Sequence, residues 1–179
     1  MKNIFKSLMI VVLFVGLGSS AFAQTGENAN ITAHATVLTA LSITGEVDMD
    51  FGNISATTGG DVYLDPIGAA STYVGTFAVE GEFTITGANN TSLLISWEDA
   101  VTMTETVTGT ATMNLDVAIS GSDADTQLAS TLLVTPAGTS RTTSATGTYY
   151  LWAGGSLGTL NSQATGTYEG TVTVTVAYN

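Results

Sequence analysis

Few residues in this sequence could carry out chemistry. It contains one histidine, His34, and no cysteine, so a histidine-based metal site or a Ser-His-Asp triad would have to use His34. This residue lies on the threonine-bearing face of an alternating segment, and we interpret it as a solvent-facing strand residue. The sequence has no phosphate-binding loop, dinucleotide fingerprint or G-x-S-x-G elbow. We therefore expect that the protein is not an enzyme.

The carboxylates occur in close pairs along the chain. The pairs are Asp48 with Asp50, Glu80 with Glu82, Glu98 with Asp99, and Asp123 with Asp125. Glycosidase chemistry needs two carboxyl groups facing each other across a cleft, which neighbours on one strand face do not provide. Asp123 and Asp125 are the candidate metal ligands, because Ca²⁺ accepts several carboxylate and carbonyl oxygens. The segment lacks the glutamate of an EF-hand loop, and we favour a solvating role for every pair.

Aromatic side chains offer a second candidate for binding. Trp97 and Trp152, with Tyr149 and Tyr150, are of the type that stacks on sugar rings. Aromatic residues within alternating strands more often pack in a core. A carbohydrate-binding surface and a core position therefore both stay open for these residues.

The first residues have the features of a secretory signal peptide, assigned to residues 1–23. Lys2 and Lys6 precede an apolar run from Leu8 to Leu17, and Ala21-Phe22-Ala23 precede Gln24. The apolar run is short for a membrane span, and no later segment is apolar enough to be one. We expect export through the Sec pathway and the periplasm to the cell surface or the extracellular medium.

The charge balance narrows the possible partners. The chain has a formal net charge of −12 at pH 7, with 15 acidic residues. After removal of the signal peptide Arg141 is the only Lys or Arg, and the net charge becomes about −14. Such a chain is a poor match for nucleic acid or an anionic membrane surface.

Composition and periodicity predict an all-β fold. The chain has 20 glycines and two prolines, and about nine or ten short alternating segments are separated by turn signals. No disulfide can hold it together, so a packed core must, and residues 24–179 suffice for one domain. We predict a single antiparallel β-sandwich domain.

An alternating run at residues 31–43 is longer than a usual strand of about five or six residues. Its odd positions include Ile31, Ala33, Ala35 and Val37, and its even positions carry Thr32, His34 and Thr36. We predict an N-terminal strand at about residues 30–43. Its first half either inserts into a neighbouring molecule or folds back to complete its own sandwich.

The last strand has an apolar face opposite a face of threonines. Val172, Val174, Val176 and Tyr178 share one parity, and we expect them to close the core. Because the sequence stops at Asn179, we expect any exchanged strand to come from the N-terminus. The terminal strand is then the candidate acceptor edge.

Three motifs resemble a known bacterial family. They are Asp50-Phe51-Gly52, Val79-Glu80-Gly81, and a closing block from Gly154-Gly155 through Gln163, Tyr168 and Gly170 to Tyr178. With these motifs the chain resembles the domain-of-unknown-function family 4402. That family is similar in turn to spore coat protein U and to archaic chaperone-usher fimbrial subunits.

The resemblance implies an immunoglobulin-like or pilin-like β-sandwich. In those relatives the domain lacks a strand, and the N-terminal segment of the next subunit fills the gap. Periplasmic chaperone and outer-membrane usher proteins are the implied partners, besides self-association or related subunits. The chain departs from the spore coat proteins in lacking cysteine.

The sequence is consistent with two functions. The first is a secreted structural subunit, pilin-like or surface-assembling, that polymerises by β-strand complementation. The alternative is a monomeric adhesin-like module that binds carbohydrate or Ca²⁺ through Trp97, Trp152 or the acidic loop at Asp123. No cofactor is expected for the first function.

Overall fold

A computed structural model describes residues 31–179, and the predicted signal peptide at residues 1–23 lies outside the described residues. The chain divides into two compact units at Thr36 and Val37. In the first unit, the described residues 31–36 are exposed and form no strand. No helix in the described part of the chain is both long and apolar enough to cross a membrane.

The second unit consists almost entirely of strands. Their bounds are β1 Ser42–Val47, β2 Asp61–Leu64, β3 Gly81–Thr86, β4 Ser92–Trp97, β5 Ala100–Glu105, β6 Thr112–Ser122, β7 Thr131–Leu132, β8 Thr139–Thr142, β9 Thr148–Thr159, β10 Tyr168–Glu169 and β11 Val174–Tyr178. A short 3₁₀ helix at Gln127–Ala129 precedes β7.

The strands form two antiparallel sheets. The larger has the order β1-β3-β9-β6-β5-β10, with β2 also pairing with β9 and β7 with β6; the smaller has the order β11-β4-β8. Within the described residues, β1 pairs only with β3 and β11 pairs only with β4. The predicted all-β antiparallel sandwich is confirmed, and β1 and β11 each leave one edge unpaired.

The core lies between the inner faces of the two sheets. Ile85, Ile95, Ile119 and Leu151 have no exposed surface and belong to one apolar cluster. Leu115 and Val117 share the parity of Ile119 and are also buried, because side chains two apart on a strand point to the same face. Burial of these side chains contributes about 1.5–3 kcal/mol each relative to exposure.

Strand β9 is the centre of the larger sheet. Paired glycines after an alternating segment predict the end of a strand, but this prediction is wrong here, because β9 continues through Gly154 and Gly155 to Thr159. A Cβ at Gly154 would collide with the carbonyl oxygen of Leu64, and one at Gly155 with that of Asp116. These glycines allow two neighbouring backbones to approach β9 closely.

The other differences concern where strands begin. The predicted strand at about residues 30–43 starts only at Ser42, and residues 31–41 are unpaired. Tyr73, Phe77 and Val79 share the parity of Phe83 and Ile85, which predicts one continuous strand, but residues 73–79 are irregular apart from a bridge between Asp50 and Val79. Strand β8 was not predicted, because Thr139–Thr142 lacks apolar alternation. Whether each of these segments forms a strand depends on whether another strand lies close enough to pair with it. The sequence does not show which strands become neighbours.

A buried carboxylate orders the turn between β5 and β6. Glu105 is 5% exposed, and its carboxylate accepts hydrogen bonds from the backbone N–H groups of Val107 and Thr108 and from the Thr108 hydroxyl. The Thr108 hydroxyl, followed by these backbone groups, lowers the pKa of Glu105 from its ordinary 4.5. Hydrogen bonds to the charged form therefore stabilise the folded state.

We expect Glu105 to contribute to acid sensitivity. Because its pKa is lowered in the folded state, its contribution is present above pH 4.5 and is lost as the pH falls towards the folded pKa. Glu105→Gln should lower the urea midpoint at pH 7 and reduce its dependence on pH below 4.5. Glu98→Gln, at an exposed turn, is the control. Equal acid slopes in the parent and Glu105→Gln would contradict this role.

Candidate functional site

The N-terminal segment exposes the apolar face that the sequence predicted. Ile31 is 95% and Val37 is 94% exposed, and Ala33 and Ala35 are exposed as well. Residues 31–41 form neither a strand nor a turn. No charged residue lies between Glu27 and Glu46. The segment therefore has the alternation of a strand and no desolvation cost from ionised groups, but no strand partner within the described residues.

The free edges of β1 and β11 meet at one end. The Tyr178 hydroxyl, near the end of β11, donates a hydrogen bond of 2.7 Å to the carbonyl oxygen of Thr39, just before β1. The same hydroxyl accepts one of 2.7 Å from the N–H of Ala88. Leu41 and Tyr178 both approach Gly87, where an added Cβ would lie 2.9 and 2.6 Å from them. The start of β1 thus lies beside the end of β11.

At the other end of β1 a groove opens, and its far side is formed by β10 and by the residues that lead into β11 rather than by β11 itself. It has a volume of about 700 Å³, with residues 45 and 47–50 on one rim and residues 167–172 on the other. Its floor includes Phe83, Met103 and Leu115 from the inner face of the larger sheet. We call the whole gap between β1 and the segment from residue 167 through β11 the β1–β11 seam. Strands β1 and β11 do not pair with each other.

A second pocket of about 570 Å³ continues from the seam. It shares Met49 and Met103 with the groove and adds Met113. These three methionines are the only ones in the described residues. Methionine side chains are flexible and polarisable, and they adapt to a partner's shape. The groove therefore has an adaptable apolar floor between polar rims, and this floor can pack against a side chain inserted from outside.

The predicted acceptor residues lie along this seam. Val174, Val176 and Tyr178 in β11 and Val172 just before it are partly buried and pack against the core cluster. Thr171, Thr173 and Thr175 alternate with them and are exposed. Val174 pairs with Trp97 and Tyr178 with Leu93 in β4. The valine face therefore covers the core, and the backbone edge opposite β4 is unpaired in the described structure.

The acidic loop at Asp123 and Asp125 is not part of a larger cluster of ligand side chains in the described part of the chain. Asp123 and Asp125 are exposed, and residues 31–179 contain no group of three His, Asp or Glu side chains arranged to hold a metal ion. Burial, followed by the charges of Asp125 and Glu46, raises the pKa of Glu82. These carboxyl groups repel one another across the outer face of β1 and β3.

The aromatic residues proposed for sugar stacking are mostly covered by protein. Trp97 is 8%, Trp152 is 5% and Tyr149 is 4% exposed. Tyr150 is partly exposed and stacks on Trp152, with ring centroids 6.4 Å apart. A buried ring cannot present its face to a sugar, so these rings act as packing groups. His34 is exposed, as expected, but it lies in coil rather than in a strand.

The sequence identified one side of the seam and missed the other. Alternation located the apolar face of β11 and that of residues 31–37. It gave no signal that β1 would lie opposite β11, because this depends on contacts such as that between Thr39 and Tyr178. The methionines were the available clue, since Met49 and Met103 lie in separate segments that alternate towards the same interior.

Comparison with known proteins gives one family. A family model described as a domain of unknown function (DUF4402) matches residues 41–178, which include every strand of the described structure. The predicted resemblance to this family is confirmed. No curated protein matches the sequence.

Proposed function

The chain belongs to the family described as a domain of unknown function (DUF4402), and on this premise we propose that it is an exported structural subunit. It is pilin-like or surface-assembling, it polymerises by β-strand complementation, and it has no catalytic role. Residues 31–37 are the donor strand, with Ile31, Ala33, Ala35 and Val37 facing the acceptor. The partner is another copy or a related subunit.

One observation carries the proposal: an alternating, uncharged segment is exposed and unpaired in a chain that also has unpaired strand edges. Transfer of Ile31 and Val37 from water into an interface contributes about 1.5–3 kcal/mol for each side chain. Main-chain hydrogen bonds to an edge add affinity, and the alternate side chains add specificity. Exposed edges and a free strand in one molecule favour association between molecules.

The proposed cellular route follows from the sequence. The signal-like segment at residues 1–23 directs the chain through the Sec pathway and the periplasm to the cell surface or beyond. A chaperone would shield the exposed edges before assembly, and an outer-membrane usher would order the subunits. The alternative, a monomeric module binding carbohydrate or Ca²⁺, has less support because Trp97 and Trp152 are buried.

A peptide experiment tests the donor role. A chain that starts at Leu38 retains every described strand and lacks the donor. It should bind a synthetic peptide of residues 29–37. At a free peptide concentration 100 times the Kd, the peptide should raise the free energy of unfolding by about 2.7 kcal/mol.

The matched control is the same peptide with Ala33→Asp and Ala35→Asp, which keeps its length and puts charge on the apolar face. We expect it not to bind, because an ionised carboxylate would be transferred out of water. Calorimetry and thermal unfolding measure both peptides. Absence of binding by the parent peptide at millimolar concentration would remove the donor assignment.

A further inference from the structure

We propose that the donor strand of a second copy inserts into the β1–β11 seam and pairs with both β1 and β11, completing the sandwich. This inference rests on the proposed function and specifies its acceptor. The sequence had pointed to β11 alone. The structure adds β1, the groove between the two edges and the direction in which the strands run.

The dimensions of the seam fit a strand of this length. Each residue of a strand advances about 3.3 Å, so the seven residues 31–37 extend about 23 Å. Strand β1 has six residues and β11 has five. The donor can therefore pair along both edges without a long overhang.

The chemistry of the seam also fits this donor. Its floor is apolar at Phe83, Met103 and Leu115, and the donor's odd positions are small or medium apolar residues. The even positions, Thr32, His34 and Thr36, would face away from the floor, because successive strand side chains point to opposite faces. The rim carboxylates Asp48 and Glu169 would then lie at the boundary with solvent.

The direction of β1 and β11 sets the type of pairing. The start of β1 lies beside the end of β11, and Gly45 and Val47 towards the end of β1 line the same groove as Val172 just before β11. The two strands are therefore antiparallel across the seam. A strand between them must be antiparallel to one and parallel to the other. Donor insertion therefore creates one parallel pair in a structure whose described pairs are all antiparallel.

A second copy, rather than the same chain, is the occupant. For self-insertion beside β1, residues 38–41 would have to reverse direction before Ser42. No turn is formed there, and the carbonyl oxygen of Thr39 is held by the Tyr178 hydroxyl. A hairpin would require residues 38–41 to adopt a new path around that contact, whereas insertion into another molecule leaves their path unchanged.

Disulfide trapping tests the seam directly, because the natural chain has no cysteine. In the mature chain Ala35→Cys is combined with Gly45→Cys, Val47→Cys or Val172→Cys at the seam. The control combines Ala35→Cys with Thr142→Cys at the free edge of β8. At least one seam pair should give a ladder of covalent oligomers at least about tenfold more abundant than the control, since a disulfide needs Cα atoms about 4.4–6.8 Å apart.

The other outcomes distinguish an error in the seam from an error in its occupant or in the proposed function. A ladder at the β8 position, or polymers without cross-links at any seam position, would overturn the seam and leave assembly through the donor standing. Covalent monomers alone would overturn the second copy as occupant. Absence of polymers in the cysteine-free parent would contradict the proposed function itself. Circular dichroism of the reduced variants confirms that each has the parent's strand content.

Discussion

Ala35→Asp is expected to reduce the affinity between mature chains by about 100-fold or more, whereas Thr36→Asp is expected to leave it within about threefold. The two substitutions add the same charge at adjacent positions. Only the odd position faces the acceptor in the proposed complex, so only there is the carboxylate transferred into an apolar surrounding. That transfer costs about 3 kcal/mol or more.

The pair of variants is informative because neither change touches the core. Residues 35 and 36 are exposed and outside every strand, so both variants should have the parent's thermal unfolding as isolated domains. Size-exclusion chromatography with light scattering across a range of concentrations measures the association. Equal loss of association in both variants, or in Thr36→Asp alone, would contradict the assigned face of the donor.

Local pattern was sufficient to predict part of this fold. The charged pair Glu98-Asp99 between two alternating segments predicts a turn, and it does join β4 to β5. Leu115, Val117 and Ile119 are buried as their shared parity predicts. In these segments apolar and polar residues alternate, and both faces of the strand have distinct environments. The information needed lies within about ten residues of sequence.

Features that depend on distant backbone were not predicted. The continuation of β9 through Gly154 and Gly155 depends on the carbonyl groups of Leu64 and Asp116, which lie far away in sequence. A pair of glycines ordinarily signals a turn, and only the neighbouring chains show that here it permits close approach. Strand β8 was missed because its residues, Thr139–Thr142, are all polar.

Only part of the candidate site was predicted, because its remaining features depend on contacts between residues that are distant in sequence. Residues 31–37 and 172–178 each have a period of two that the sequence shows. The place of β1 across the seam from β11 follows from contacts near Tyr178. The acidic loop and the tryptophans were the other candidates. Burial of Trp97 and Trp152 and the absence of a ligand cluster among residues 31–179 give them less support.

Removal of the donor is expected to have the largest effect of all. A chain of residues 38–179 should remain monomeric at concentrations where the chain of residues 24–179 forms long polymers. The deleted residues that the structure describes make no strand, and the core cluster lies entirely within the retained part. The deletion should therefore remove association while leaving a folded domain.

In the proposed assembly, chains join end to end through residues 31–37. Negative-stain electron microscopy of residues 24–179 beside residues 38–179, at matched concentration, is the decisive test. We expect thin linear fibres from the longer chain and separate particles from the shorter one. Fibres from both chains, or separate particles from both at every concentration, would contradict it.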